Sequence, residues 1–324
     1  MKAKLLQLLL TMSDSYISGQ AISEQLGCSR TAIWKHIDAL RKEGYKIEAV
    51  QNKGYRLVFT PNLLTDHSIQ ATLATERFGK KVIVRDEVTS TQELAHQFAQ
   101  EGNEEGTIIV AEQQTAGKGR LGRKWYSPKG TGIWMSIILR PSLAIQEAPQ
   151  LTLVAAVAVV RAIKNVTGIE ASIKWPNDLL INDRKVAGIL TEMQADPDRI
   201  QSIILGIGMN VLQEEVPEEL EEIATSLWKE KGVQVDRTAL LAEILKELEW
   251  FYDTFLQSGL QFIKPMWEAH ARGMGERITA RGVNETVTGT ALGITDQGVL
   301  RILDDKGNER EVYSGDLDFF HTDR

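Results

Sequence analysis

Ser29-Arg30-Thr31-Ala32-Ile33-Trp34-Lys35-His36-Ile37-Asp38-Ala39-Leu40, halted at Gly44, is followed by Ile47-Glu48-Ala49-Val50-Gln51-Asn52-Lys53-Gly54-Tyr55-Arg56-Leu57-Val58. Ser29 fits a helix N-cap, because its hydroxyl can accept from a free amide of the first turn. Ile33, Ile37 and Leu40 then fall at i, i+4 and i+7, one apolar stripe of a helix. Upstream, Ser18 caps a shorter helix through Ala21, Ile22 and Leu26, Gly27 ends it and Cys28 fills the turn. Lys2 to Met12 adds Leu5, Leu6, Leu8, Leu9 and Leu10, enough for a third buried helical face. Helix, tight turn, helix is the spacing of a helix-turn-helix unit. Downstream, Gln51-Asn52-Lys53-Gly54 separates two strand-like runs and reads as a hairpin. Together these predict a winged helix-turn-helix, closed by a linker at Pro61-Asn62.

Charge agrees with that reading. Residues 1–60 hold nine Lys/Arg against five Asp/Glu, although the whole chain carries −7. A basic end on an acidic protein points to nucleic acid at that end. Without the fold it would read as solvated lysines. The face opposite the apolar stripe offers Ser29, Arg30, Thr31, Lys35 and His36, and the wing adds Lys53 and Arg56; these are the expected DNA contacts.

At 324 residues the chain exceeds the usual size of one core. Its 43% hydrophobic and 25% charged residues are ordinary for a water-soluble protein. The single cysteine, Cys28, can form no internal disulfide, and no signal peptide stands out, so a cytoplasmic setting is expected. The longest apolar run, Leu151 to Val160, is closed by Arg161 and reads as a buried helix rather than a membrane span.

The middle of the chain mixes strand-like runs (Val82–Val84, Thr107–Val110, Gly132–Leu139, Ser172–Lys174, Val186–Met193, Ile200–Gly206) with helical ones (Thr91–Gln100, Pro149–Thr167, Arg237–Ser258). They do not alternate regularly, so a mixed sheet with helices against one face is expected. Glu214 to Glu222 is acidic and expected on the surface. After Glu276 come short strand-like runs separated by Gly282, Gly293, Asp296-Gln297-Gly298 and Asp305-Lys306-Gly307-Asn308, a small β-barrel. The expectation is an α+β chain of three domains: 1–62, 63–275 and 276–324.

Two segments carry chemistry. Gly117-Lys118-Gly119-Arg120-Leu121-Gly122-Arg123-Lys124-Trp125 alternates glycine with cations. That combination allows close backbone approach and puts positive charge on one flexible loop, suited to an anionic ligand. Lys174-Trp175-Pro176-Asn177-Asp178 and Arg184-Lys185-Val186-Ala187-Gly188 put a carboxylate and lysines either side of a short turn, ahead of an apolar strand. Alone, the first reads as an exposed basic hairpin, Asp178 as a turn or cap residue and Lys185 as a surface lysine. Their company changes the balance. No Ser-His-Asp pattern and no His/Cys cluster accompanies them.

These two segments, with Ser90-Thr91-Gln92 upstream and Gly206-Ile207-Gly208-Met209-Asn210 downstream, resemble the biotin–protein ligase family in the order of its motifs. The likeness runs over nearly the whole chain. With the N-terminal domain it resembles the bifunctional subclass, ligase and biotin-operon repressor in one polypeptide. The resemblance implies a central biotin/lipoate-ligase-like domain and an SH3-like C-terminal barrel. It implies ATP and biotin as substrates, with Mg²⁺. It also implies a biotin carboxyl carrier protein (the acetyl-CoA carboxylase subunit) and operator DNA as partners.

The resemblance further implies that Lys118, Arg120 and Lys185 serve the chemistry. Biotin would meet Ser90, Thr91, Gln92, Gln114, Lys118, Gly119, Arg120, Lys185, Gly206 and Gly208, with Trp134 and Ile189 as apolar walls. ATP would meet Arg120, Arg123, Trp125, Asn177, Asp178 and Asn210, with Asp178 as the Mg²⁺ ligand and Trp125 stacking on adenine. Ser90-Thr91 also reads as a helix start, and Trp175 as core. A lipoate-type ligase and a non-catalytic ligand sensor are the alternatives; the Gly-Lys-Gly-Arg loop argues against the first, the retained cations against the second. A homodimer promoted by ligand is expected, pairing edge to edge through Ile189–Met193.

Overall fold

The computed structural model describes residues 1–282 and 285–320. Its first unit holds α1 (Lys2–Thr11), α2 (Gly19–Leu26), α3 (Arg30–Lys42) and the hairpin β1 (Lys46–Val50) and β2 (Gly54–Phe59). The caps are those the sequence predicts. Ser18 Oγ accepts from the Ala21 amide at 3.0 Å, and Ser29 Oγ from Ala32 at 3.2 Å. Gly27 ends α2 in the left-handed region at φ 63°, where glycine has no side-chain penalty. Leu5, Leu6, Leu9, Ile22, Ile33, Ile37 and Leu40 form a core of their own.

The second unit is built on α4 (Asp66–Thr72), β3 (Val82–Val88), α5 (Thr91–Gln100), β4 (Ile108–Lys118), β5 (Lys124–Ser127), β6 (Gly132–Leu139) and α6 (Gln150–Thr167). It continues through β7 (Ser172–Lys174), β8 (Asp178–Ile181), β9 (Arg184–Ala195), β10 (Ile200–Asn210), α7 (Leu227–Lys231), α8 (Arg237–Ser258) and α9 (Leu260–His270). The strands make one sheet in the order β3-β4-β6-β10-β9-β8-β7, with β5 folded back onto β4. Only β3 and β4 run parallel among these pairs.

The expectation of helices against one face needs correction. α6, α8 and α9 cover one face, whereas α5 covers the other, burying Ala95 and Ala99 on Ile109, Ile138 and Ile204. The reason is the pleat. Ile108 and Val110 point to the α6 side, so Ile109 between them points away and needs its own cover. All of β6 is buried, the mark of a strand covered on both faces. The apolar run at Leu151–Val160 extends into a stretch, Ile145–Thr167, long and apolar enough to cross a bilayer, but most of it is buried inside the protein, as a core helix is.

The third unit comprises β11 (Arg277–Arg281), β12 (Thr286–Ile294), β13 (Leu300–Asp304), β14 (Glu309–Val312) and β15 (Asp316–Phe319). They form an antiparallel sheet in the order β14-β13-β12-β11-β15. Neither β15 nor α9 stood out in the sequence.

The linker is pinned rather than free. Arg237, fully buried at the start of α8, pairs with Glu112 of β4 at 2.8 Å and donates to the Asn62 carbonyl at 2.7 Å. The Asn62 amide donates to the Val235 carbonyl at 2.8 Å, and the Leu64 amide to Glu112 at 2.9 Å. One buried ion pair thus joins the linker, the sheet and the longest helix.

Candidate active site and DNA-facing surface

The glycine-rich segment is not a free loop. Gly117 and Lys118 complete β4, a short 3₁₀ turn spans Arg120–Gly122, and β5 returns along β4 with Gly117 opposite Trp125. At the turn Leu121 has φ 55° and is exposed. This hairpin lies above the sheet where β8, β9 and β10 meet. Asp178 of β8 pairs with Gly188 of β9, and Gly188 with Gly208 of β10. Between Asp178 and Lys185 the chain runs as β8 into the expected tight turn at Asn182-Asp183, both at positive φ.

Glycine at position 208 is dictated by what lies on it. A Cβ there would stand 2.5 Å from the Trp125 indole nitrogen, and one on Gly188 would stand 3.1 Å from the same ring. The indole lies flat on a two-glycine floor, and its Nε1 is buried without a hydrogen-bond partner. Lys185 Nζ sits 5.1 Å from the Trp125 ring centroid and 2.7 Å from Asp178 Oδ1. Arg120 closes the ring of charges. It donates to Asn177 Oδ1 at 2.9 Å and to Ser314 Oγ of the third unit at 3.1 Å. Burial pulls the Arg120 guanidinium below its ordinary range, against the carboxylates of Asp316 and Asp178. Arg123 pairs with Asp316. Burial raises the Asp316 carboxyl, but Arg123, Arg120 and Lys174 outweigh it and hold the group ionised to lower pH. Three cations, two half-buried carboxylates and an indole thus meet over a backbone floor.

Behind Gly206 lies a polar network. A Cβ on Gly206 would stand 2.5 Å from Gln92 Oε1. Gln92 donates to the Ile204 carbonyl at 3.0 Å and accepts from Ser136 at 3.0 Å. Thr91 donates its backbone amide to Gln114 Oε1 at 2.8 Å, and Gln114 donates to Ser127 at 2.8 Å. Thr91 and Ser136 hydroxyls lie 2.9 Å apart.

The Biotin/lipoate A/B protein ligase family model matches residues 83–210, an HTH domain model residues 2–56, and a Biotin protein ligase C terminal domain model residues 273–319. The chain is 48% identical to the "Bifunctional ligase/repressor BirA" of Bacillus subtilis (strain 168), over 98% of each chain. The chain belongs to the bifunctional biotin–protein ligase and repressor family. The Escherichia coli (strain K12) protein with the same printed name is 32% identical over 91% of each chain. A solved biotin protein ligase from Aquifex aeolicus, in complex with biotin and ATP, matches with TM-score 0.66 and 34% identity, over 75% of this chain and all of that one.

Within this family's chain, most residues named from the sequence converge. Arg120, Arg123, Trp125, Asn177, Asp178, Lys185, Gly206 and Gly208 share one region, and Gly119 holds the hairpin by donating to the Arg123 carbonyl at 2.7 Å. Ser90 serves as the N-cap of α5, accepting from Gln92, and Trp175 is core. Two of the named residues have other partners here. Lys118 leaves the cation cluster, because β4 turns its side chain to Glu93 of α5 at 2.8 Å, whose hydrogen bond raises the ammonium above its ordinary range. Gln92 does not face outward: burial has consumed both ends of its amide within the sheet. Asn210 donates to the Thr225 carbonyl at 3.0 Å and accepts from Gln213 at 3.1 Å. Sequence reasoning missed Ser127, Ser136, Ser314 and Asp316, since serines and an aspartate carry no motif of their own. Among the described residues no group of three or more His, Cys, Asp or Glu side chains could hold a metal by itself.

On the winged helix, Arg30, Thr31 and Lys35 are exposed on α3, and His36 is half-buried. Lys53 lies at the tip of the hairpin, 5.9 Å from the Tyr16 ring. Arg56 is not a free cation: it pairs with Glu48 at 2.8 Å and stacks 4.8 Å from Tyr16, whose hydroxyl donates to Glu48 at 2.7 Å. The strand expected to offer an edge is also only partly open. Ile189 donates to the Asn177 carbonyl at 2.9 Å, so a second ladder is absent, among the described residues, only from Leu190 onward.

Proposed function

We propose that this chain activates biotin with ATP, passes it to a lysine of a carrier protein, and represses transcription through its N-terminal domain. The reaction runs in two steps. The biotin carboxylate attacks the α-phosphorus of ATP, forming biotinyl-5′-adenylate and releasing pyrophosphate. The carrier lysine amine then attacks the acyl carbon of that mixed anhydride, and AMP leaves.

The observation that carries this reading is the convergence of Lys185, Arg120 and Asn177-Asp178 over the Gly188/Gly208 floor. The first step brings two anions together. At an effective dielectric near 20, unit charges about 4 Å apart repel by roughly 4 kcal/mol, so fixed cations set the barrier. We assign Lys185 to the meeting point of carboxylate and α-phosphate. Arg120 and Arg123 take the phosphates, replacing the neutral and acidic partners that hold them now. No general base is required, because a carboxylate is ionised at pH 7. Asp178, with phosphate oxygens, would hold Mg²⁺, which supplies further charge neutralisation there. Trp125 is the adenine platform, and Asn210 keeps one N–H and one lone pair free for the base edge. Ser90, Thr91 and Gln114 supply ureido partners, with Gln92 setting their position from behind. Lys118, held by Glu93, supports the hairpin.

In the division 1–62, 63–275 and 276–324, the first part carries operator contacts at Arg30, Thr31, Lys35 and Lys53. The liganded protein pairs with a second copy through the open edge from Leu190. The free Cys28 goes with a cytoplasmic setting. Incubation with ATP, Mg²⁺ and either biotin or lipoate, read by mass spectrometry, tests the chemistry: biotinyl-adenylate forms and lipoyl-adenylate does not. The reverse result overturns the assignment. Sedimentation with and without biotin plus ATP tests the assembly; a dimer already complete without ligand removes ligand-driven pairing.

A further inference from the structure

The DNA-facing side of α3 is poorer in free charge than its composition suggests. Lys42 pairs with Asp38 at 2.7 Å, and Arg41 donates its guanidinium to the Ile47 carbonyl at 3.1 Å. Arg56 of the wing is tied to Glu48. On α3, Arg30 and Lys35 stand without a carboxylate partner among the described residues; Arg30 meets the neutral Gln20 at 3.1 Å. Between them stands Trp34, 55% exposed. It is one helical turn from Arg30 and Thr31 and beside Lys35, all exposed. No ring of the described protein packs on it. A lone exposed apolar residue is ordinary on a protein surface. What sets Trp34 apart is its position, in the middle of the second helix of a helix-turn-helix and among the free cations of that helix.

We propose that Trp34 is a specificity-determining contact of the operator, packing its indole on thymine 5-methyl groups in the major groove. The reasoning is one of shape and solvent. A helix seated in that groove brings its exposed face against base edges, where the thymine methyl is the apolar feature that separates T·A from the other pairs. An indole so placed leaves water and gains apolar contact, and it reads sequence without charge. Arg30 and Lys35 either side hold the phosphates and fix the register of the helix. The inference rests on DNA binding by α3, and the test separates its failure from that of this larger reading.

The probe is a duplex enriched from random sequence by the wild-type protein in the presence of biotin and ATP. Binding is measured with the full-length chain. Trp34→Ala should lose about tenfold on that duplex and little on random-sequence DNA, and Trp34→Phe should recover most of the loss. Its salt dependence should keep the wild-type slope, whereas Lys35→Ala should flatten the slope by about one. Deoxyuridine in place of thymine should weaken the wild type and leave Trp34→Ala unaffected. Unchanged affinity in Trp34→Ala, an equal loss on random DNA, or a deoxyuridine penalty that adds to the Trp34→Ala loss overturns the proposal. If Lys35→Ala is silent as well, the placement of α3 in the groove falls with it; if Lys35→Ala weakens binding and Trp34→Ala does not, only the indole contact falls.

Discussion

The proposed adenylating site and the winged helix are both rich in basic residues, and the structure treats those residues differently. At the site, cations converge: Arg120 and Lys185 lean toward Asn177 and Asp178 over a floor from which side chains have been removed. On the winged helix, cations disperse, and Arg56 is neutralised on its own hairpin by Glu48. The difference is geometric. Glycines at positions 188 and 208 mean something approaches the backbone, so charge near them has an address. A count of lysines and arginines along a helix carries no such information.

The largest effect should come where the two regions are joined. Arg237→Ala would strand the buried Glu112 carboxylate and release Asn62, for a loss of about 3–5 kcal/mol. Calorimetry measures it. A shift worth under about 1 kcal/mol would mean that the linker is held by packing alone.

Next is the converging site itself. Lys185→Ala removes the charge from the point where two anions must meet, so adenylate formation should fall by about a hundredfold or more. Biotin binding should fall far less, since the ring end of biotin is neutral. A single-turnover assay of adenylate against a binding titration of biotin separates the two. Equal losses would reduce Lys185 to a binding residue. Arg120→Ala comes after it, because Arg120 reaches the hairpin, Asn177 and Ser314 at once. Its loss should let biotinyl-adenylate escape about tenfold faster, read as free adenylate and as labelling of unrelated lysines. Unchanged release would separate the hairpin from retention of the intermediate.

How much of this was legible follows from the same contrast. Local rules were readable where one residue suffices: Ser18 and Ser29 cap their helices and Gly27 ends one. The site was readable where glycine and charge coincide. Its supports were not, since Ser136 and Ser127 matter only because β6 and β5 bring them to Gln92 and Gln114. The second covered face of the sheet was legible in β6, Gly132–Leu139, where apolar residues fall on both faces and Ser136 is the one hydroxyl-bearing residue. Lys118 belonged to the motif in sequence but left the cluster in space, because one residue along a strand reverses the direction of a side chain.

The smallest effect gives the sharpest test of the dispersed region. Glu48 and Arg56 face each other across the β1–β2 hairpin, with Tyr16 beside both. Arg56→Ala alone would leave Glu48 as an uncompensated negative charge near the DNA and would exaggerate the role of the arginine. Replacing both, Glu48→Ala with Arg56→Ala, removes a pair of no net charge. An exposed pair of this kind contributes little to stability, so the fold should survive. If Arg56 is committed to Glu48, operator binding of the double variant should keep the wild-type salt slope, while Lys53→Ala at the hairpin tip should flatten it by about 0.9. A double variant that flattens the slope as Lys53→Ala does would show Arg56 leaving Glu48 for phosphate, and the wing would then count two cations toward DNA rather than one.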